Sequence, residues 1–177
     1  MKKYVFERSK HVEEKLNDDI YPLGGIELDE DNVVMFVYDK SIKKTKIGLN
    51  TGSKKVNEKY QYAVFVNEKM QKMFFEKENI FIPLAMRELS HIINNDLEEK
   101  EKLEKDENVS QKEIKELLKQ QELNADIFAA KQVGKNKMIN VLDYLIREKK
   151  SEQAKPKEIK ELENRKKLIW LDQSLFL

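Results

Sequence analysis

Five consecutive residues, Arg87-Glu88-Leu89-Ser90-His91, carry the most specific chemical pattern in the chain. Positions 87 and 91 are four apart, so on a helix they stand side by side on one face. A histidine at 91 can present a ring nitrogen to a metal ion. Glu88, on the adjacent face, is placed to act as general base toward a metal-bound water. The pattern that this spacing serves is H-E-x-x-H, with histidine at both outer positions. Here the first is Arg87, which stays protonated, offers no lone pair and is a very poor ligand.

A second pair lies downstream, in Glu122-Leu123-Asn124-Ala125-Asp126. It sets two carboxylates at i and i+4 with a small residue between them. Glu122 can ligate a metal, Asp126 can accept a hydrogen bond from a ligand histidine, and Ala125 lets two helices approach closely. A hydrolytic metal site needs three protein ligands and one open position. His91 and Glu122 supply two. His11 and Asp96 are further donors, but nothing in the spacing ties either to the site, and His11 reads as a surface or capping histidine. The physical alternative is that the Arg87 guanidinium fills the space of the metal. It would then pair with Glu122, and with Glu88 or Asp126, because carboxylates crowded without a cation are costly. The plainest reading makes Arg87, Glu88 and His91 an ordinary polar face, with Glu122 and Asp126 paired to lysines.

The elements that must position these residues follow from periodicity and punctuation. A helix is predicted over 4–20, with Val5, Val12, Leu16 and Ile20 on one stripe, ended by Pro22-Leu23-Gly24-Gly25. Asn32 to Tyr38 reads as a buried strand. Thr45 to Thr51 alternates and is expected to pair with it as a hairpin, and Tyr60 to Asn67 is a third strand. Met70, Met73, Phe74 and Phe75 read as core. Pro83 fits the first turn of a helix running to about Asn95. The charge-rich 97–112 stretch reads as a solvated connection. Ser110-Gln111-Lys112-Glu113 has capping-box spacing and should start a helix that Gly134 ends. A further helix is expected over 137–149, then a linker at Ser151–Pro156. A last helix leads to the apolar end Leu168 to Leu177, which should dock on the domain or on a partner. The fold class expected is α+β: a small, mostly antiparallel sheet, a helix pair carrying the motif, and further C-terminal helices. The domain division expected is 1–150, with a helical extension over 151–177.

Together, Val64-Phe65-Val66-Asn67, the run Arg87 to Asp96, and Glu122 to Ala130 resemble the gluzincin-type zinc metallopeptidases. The nearest pattern is that of the CAAX-prenyl and heat-shock peptidases and their soluble relatives, H-E-L-x-H-I-x-N-x-D followed by E-x-x-A-D. The resemblance covers roughly residues 60–146. It implies a zincin-like helix pair enclosing zinc, with the preceding strand lining a substrate cleft. It implies His91 and Glu122 as metal ligands, Glu88 as the catalytic base and Asp126 as a support behind a ligand. Arg87 departs from it at a ligand position and Ser90 replaces the usual glycine. The function expected is therefore a pseudopeptidase that binds or regulates a peptide or protein partner, able to hold an extended peptide by strand addition beside residues 60–67. The alternative is an active zinc-dependent metallopeptidase that hydrolyses peptide bonds with a non-standard ligand set. A third reading is a helical interaction protein using the Lys/Glu-rich helices and the apolar end.

Composition narrows the field. The 177 residues are 38% charged, yet the net charge is only +1, so no global field argues for nucleic acid. There is no cysteine, hence no disulfide and no thiolate metal site. No apolar run approaches the roughly 18 residues that span a bilayer. The first residues lack the apolar core of a signal peptide. The location expected is cytoplasmic, without membrane attachment. Oligomeric state is left open.

Overall fold

The computed structural model describes residues 1–9, 20–49 and 62–176. The chain divides into two compact units, Met1–Ile82 and Pro83–Leu177.

The first unit is a five-stranded sheet with a helical flank. Its strands are β1 (Phe6–Arg8), β2 (Ile20–Glu27), β3 (Val33–Asp39), β4 (Lys46–Leu49) and β5 (Tyr62–Val66), in the order β1-β2-β3-β5-β4. The β1–β2, β2–β3 and β4–β5 pairs are antiparallel, and β3–β5 is parallel. The sheet is thus mostly antiparallel and the fold is α+β, as expected. Strand β3 lies at its centre, which explains its unbroken apolar run: a strand covered on both faces has no polar face to alternate with. Val34, Phe36 and Val37 are fully buried. On one face Met35 and Val37 pack with Ile20 and Phe65. On the other, Phe36 joins an aromatic cluster. Its ring centroid lies 5.5 Å from that of Phe6 and 6.2 Å from that of Phe81, in edge-on geometry. Phe74 lies 5.2 Å from Phe81. Helix α1 (Glu68–Glu76) follows β5 directly. Asn67 caps it by accepting from the Met70 amide at 3.0 Å.

Three expectations for this unit are corrected. The 4–20 helix gives way to β1 at Phe6–Arg8, while residues 10–19, His11 among them, lie outside the described residues. Pro22 to Gly25 does not end a helix but lies inside β2, where the register shifts between Pro22 and Gly24. Such an irregularity tolerates a residue that cannot donate to the ladder. Gly24 is needed for a different reason. A Cβ there would lie 2.7 Å from the Phe6 ring and against the Glu7 carbonyl, so only glycine lets β1 close on β2. Gly24→Ala is expected to cost roughly 1–3 kcal/mol by overpacking. Thermal denaturation reads it, and an unchanged midpoint would show that β1 is not held there. Lastly, β4 pairs with β5, not with β3, so no β3–β4 hairpin forms. Strand β5 is consequently flanked on both sides, and the edge proposed for strand addition beside residues 60–67 is taken.

Helix α2 (Glu78–Ile93) begins in the first unit, and from Pro83 onward it belongs to the second. Pro83 sits inside the helix, not in its first turn. Interior proline removes a backbone bond at a cost of about 3 kcal/mol. Burial offsets this: Ile80 and Phe81 in the first unit, and Leu84 and Ala85 in the second, are all buried.

The second unit is helical. After α2 come α3 (Asp96–Lys105), α4 (Gln111–Val133), α5 (Lys135–Ser151) and α6 (Pro156–Leu171), then a short 3-10 turn at Gln173–Phe176. Residues 97–105, expected to be a connection, form most of α3. Asp96, Glu98 and Glu99 in its first turn and Lys102 and Lys105 in its last suit the helix dipole. Ser110 and Glu113 make the expected capping box on α4, Gly134 (φ 101°) separates α4 from α5, and Pro156 opens α6. Met138, Val141, Leu142 and Ile169 fill the core with Ala125 and Ala129. At the end of α6 only part of the apolar stretch docks. Ile169 is buried, while Trp170 is 61% exposed and Leu171 60% exposed. Among the described residues no helix is long and apolar enough to cross a membrane.

Candidate functional site

The motif residues converge within the helical unit. Arg87, Glu88 and His91 lie on α2, and Glu122 and Asp126 on α4. Helical periodicity puts 87 beside 91 and 122 beside 126, so each helix offers one matched pair. Ala125, between the carboxylates in sequence, is buried.

The contacts form one ion cluster. Arg87 Nη2 donates to Glu122 Oε2, and Arg87 Nε lies 2.6 Å from Asp126 Oδ1. That second contact is a close ion pair whose Nε–H points less directly at its oxygen than the bonds of Arg165 do. The other side of the cluster comes from a residue outside the sequence motif. Arg165 on α6 grips Asp126 with two bonds, Nε to Oδ2 at 2.6 Å and Nη2 to Oδ1 at 2.8 Å. Its Nη1 lies 3.3 Å from Glu122 Oε2. Such two-pronged pairing suits a guanidinium and is beyond a lysine. Asp126 is fully buried, and both arginines are buried.

His91 is held from a different direction. Its Nδ1–H donates to Asp96 Oδ2 at 2.6 Å, and Nε2 lies 3.6 Å from Glu122 Oε1. Gln121 Nε2 donates to the Asp96 carbonyl and to Glu99 Oε2. The carboxylate on the histidine is therefore Asp96, whereas Asp126 serves the two arginines.

Charge and burial compete at each group. Burial pushes Arg87 toward neutrality, but Asp126, Glu122 and Glu88 outweigh it and raise its pKa. Burial likewise raises Glu122, yet Arg87, Arg165 and His91 bring its carboxyl below the ordinary 4.5. Glu88 goes the other way. Burial lifts its carboxyl above 4.5, and the nearby Arg87 and His91 only partly oppose this. A raised carboxyl favours the folded state most at acid pH, and that advantage is lost as pH climbs from 4.5 through the folded value. Glu88→Gln should therefore raise the melting temperature at pH 7. The gain should shrink toward pH 4; a gain that is constant with pH would argue against a buried charge at Glu88.

Zinc, which the resemblance implies, does not fit the residues as they stand. Both guanidinium groups contact Glu122 Oε2, and Arg87 fills a ligand position without a lone pair. Among the described residues no group of three His, Asp, Glu or Cys side chains could hold a metal ion. One side chain shares the geometry of a ligand. A histidine with Nδ1 fixed by a carboxylate and Nε2 turned inward is oriented as metal ligands are.

A groove of about 320 Å³ lies beside the cluster, between α4 and α6. Leu123, Leu168, Lys119, Lys157, Lys160 and Arg165 line it, along with Glu116 and Glu161. Sequence reasoning missed Arg165. The available signal was rarity: arginine occurs only at 8, 87, 147 and 165 in a lysine-dominated chain. Comparison with protein-family models, with curated proteins and with solved structures found no match to this chain.

Proposed function

We propose that this chain is a zincin-like pseudopeptidase, a non-catalytic protein that binds a peptide or protein partner. One observation carries the reading: Arg87 is ion-paired to Glu122 and Asp126 at the position where H-E-x-x-H supplies a metal ligand. Without a Lewis acid, Glu88 has no activated water to deprotonate. Binding then falls to surfaces. The groove between α4 and α6, lined by Leu123 and Leu168 and by four basic side chains against two acidic ones, suits an acidic peptide with apolar anchors. A chain without cysteine suits a reducing, cytoplasmic setting.

The test uses protein purified without a metal-affinity tag. Elemental analysis should find no stoichiometric zinc, and fluorogenic peptides should stay uncleaved with zinc added. Stoichiometric zinc that is lost in His91→Ala would sink the proposal. For the partner surface, selection from a displayed peptide library should enrich acidic sequences containing leucine. The Lys157→Glu/Lys160→Glu variant should lose that enrichment. A second reading, a metallopeptidase with an altered ligand set, draws on the inward-turned Nε2 of His91. It requires Glu122 to release both arginines, and metal-dependent cleavage by the unaltered protein would establish it.

A further inference from the structure

We infer that Arg87 and Arg165 act as one two-charge substitute for a divalent cation, and that Arg165, on α6, excludes metal from a latent site at His91 and Glu122. The inference rests on the reading that the cluster stands where a metal would sit. It adds a residue and a helix to that reading.

Charge balance is the first argument. Glu122 and Asp126 bring two carboxylates together, one turn apart on α4. Two guanidinium groups contact these two and together carry the charge of one divalent ion, while Glu88, a third carboxyl, acts on Arg87 from nearby. Neither arginine serves a single carboxylate. Arg87 contacts Glu122 and Asp126, and Arg165 contacts the same two. Removing either cation alone leaves the remaining one shared between two acids.

Fit is the second argument. Arg165 meets Asp126 with two aligned bonds, whereas the buried Arg87 Nε–H points less directly at its oxygen. His91 is the third argument. Its ring is fixed through Asp96 and turns Nε2 toward Glu122, an orientation that neither arginine requires. These observations describe two carboxylates held by two guanidinium groups, Arg165 with the better aligned bonds, and a His91 ring turned toward one of the carboxylates.

Arg165 has a consequence for any attempt to restore the motif. Arg87→His places a second histidine one turn from His91, but leaves Arg165 against both carboxylates. Like charges repel, so a metal ion would meet a fixed guanidinium 3.3 Å from its intended Glu122 ligand.

The experiment compares Arg87→His, Arg165→Gln and the double variant, each titrated with zinc and followed by elemental analysis and thermal denaturation. The double variant is expected to bind about one zinc per chain and to melt at higher temperature with zinc, as linkage requires. Adding His91→Ala should abolish both effects. Arg87→His alone should bind at least about tenfold more weakly, a gap of about 1.4 kcal/mol. Equal affinity in Arg87→His and the double variant would overturn the role of Arg165. A folded double variant without zinc affinity would overturn the latent site, and so would one that stays unfolded with and without zinc. A second arm needs no metal: Arg165→Gln/Asp126→Asn should melt above Arg165→Gln, because the charge is rebalanced. No recovery would overturn the charge-balance argument. These outcomes are separate from zinc or cleavage in the unaltered protein, which tests the proposed function.

Discussion

Asp126→Ala is expected to destabilise the helical unit by about 3–5 kcal/mol, the usual cost of removing one partner from a buried ion pair. The reason is what remains. Arg165 loses two aligned bonds and Arg87 loses its second carboxylate, and both cations stay buried. Asp126→Asn should cost less, since the amide oxygen still accepts one bond from Arg165. Urea denaturation followed by helical circular dichroism measures both. A loss below about 1 kcal/mol would mean that the cluster behaves like exposed ion pairs. Glu122 contributes a pH dependence opposite in sign to that of Glu88. Its folded carboxyl lies below the ordinary 4.5, so its stabilisation is complete above that value and disappears as pH falls through the depressed one. Glu122→Gln should therefore differ from the unaltered protein at pH 7 and converge with it in acid. A difference that persists in acid would assign Glu122 a role other than charge.

Phe36→Ala should have a comparable effect on the sheet unit, about 3–5 kcal/mol, by a different mechanism. Phe36 is fully buried, and its ring meets those of Phe6 and Phe81 edge-on. Truncation removes the transferred surface and leaves a cavity that the flanking strands cannot collapse into. Edge-on ring contacts add about 0.5–1.5 kcal/mol each beyond area. Arg8 lies over the Phe74 ring of this cluster at 4.5 Å, but a guanidinium stays protonated, so this loss should not change between pH 4 and pH 8. A loss that followed pH would show that the aromatic cluster is coupled to charges outside it.

What was legible in the sequence was local or continuous. Val33 to Tyr38 announced β3 because a central strand needs apolar residues on both faces. Ser110 with Glu113, Gly134 and Pro156 marked helix ends because capping chemistry acts within one turn. The misread elements depend on distant partners. Pro22 to Gly25 has the composition of a break, and only the close approach of β1 makes Gly24 a strand residue. Thr45 to Thr51 contained a strand but not its neighbour, since adjacency in sequence does not decide pairing. Pro83 looked like a helix start because the apolar residues before it, which carry the helix through, lie in the preceding unit. At the candidate site, spacing paired Arg87 with His91 and Glu122 with Asp126, and the resemblance set the two pairs together. It could not supply Arg165, which meets Asp126 across 39 residues, through a helix without a motif of its own.

The double grip on Asp126 also bears on descent. Were a lineage to arrive at this cluster from a metal-binding ancestor, the way back would need changes at two codons on two helices. Each change alone unbalances the buried cluster and gains at best a weaker metal affinity than the two together, so selection would meet a less stable intermediate with little to recommend it. Arg165 would thus act as a ratchet, making the departure from metal chemistry far easier than the return.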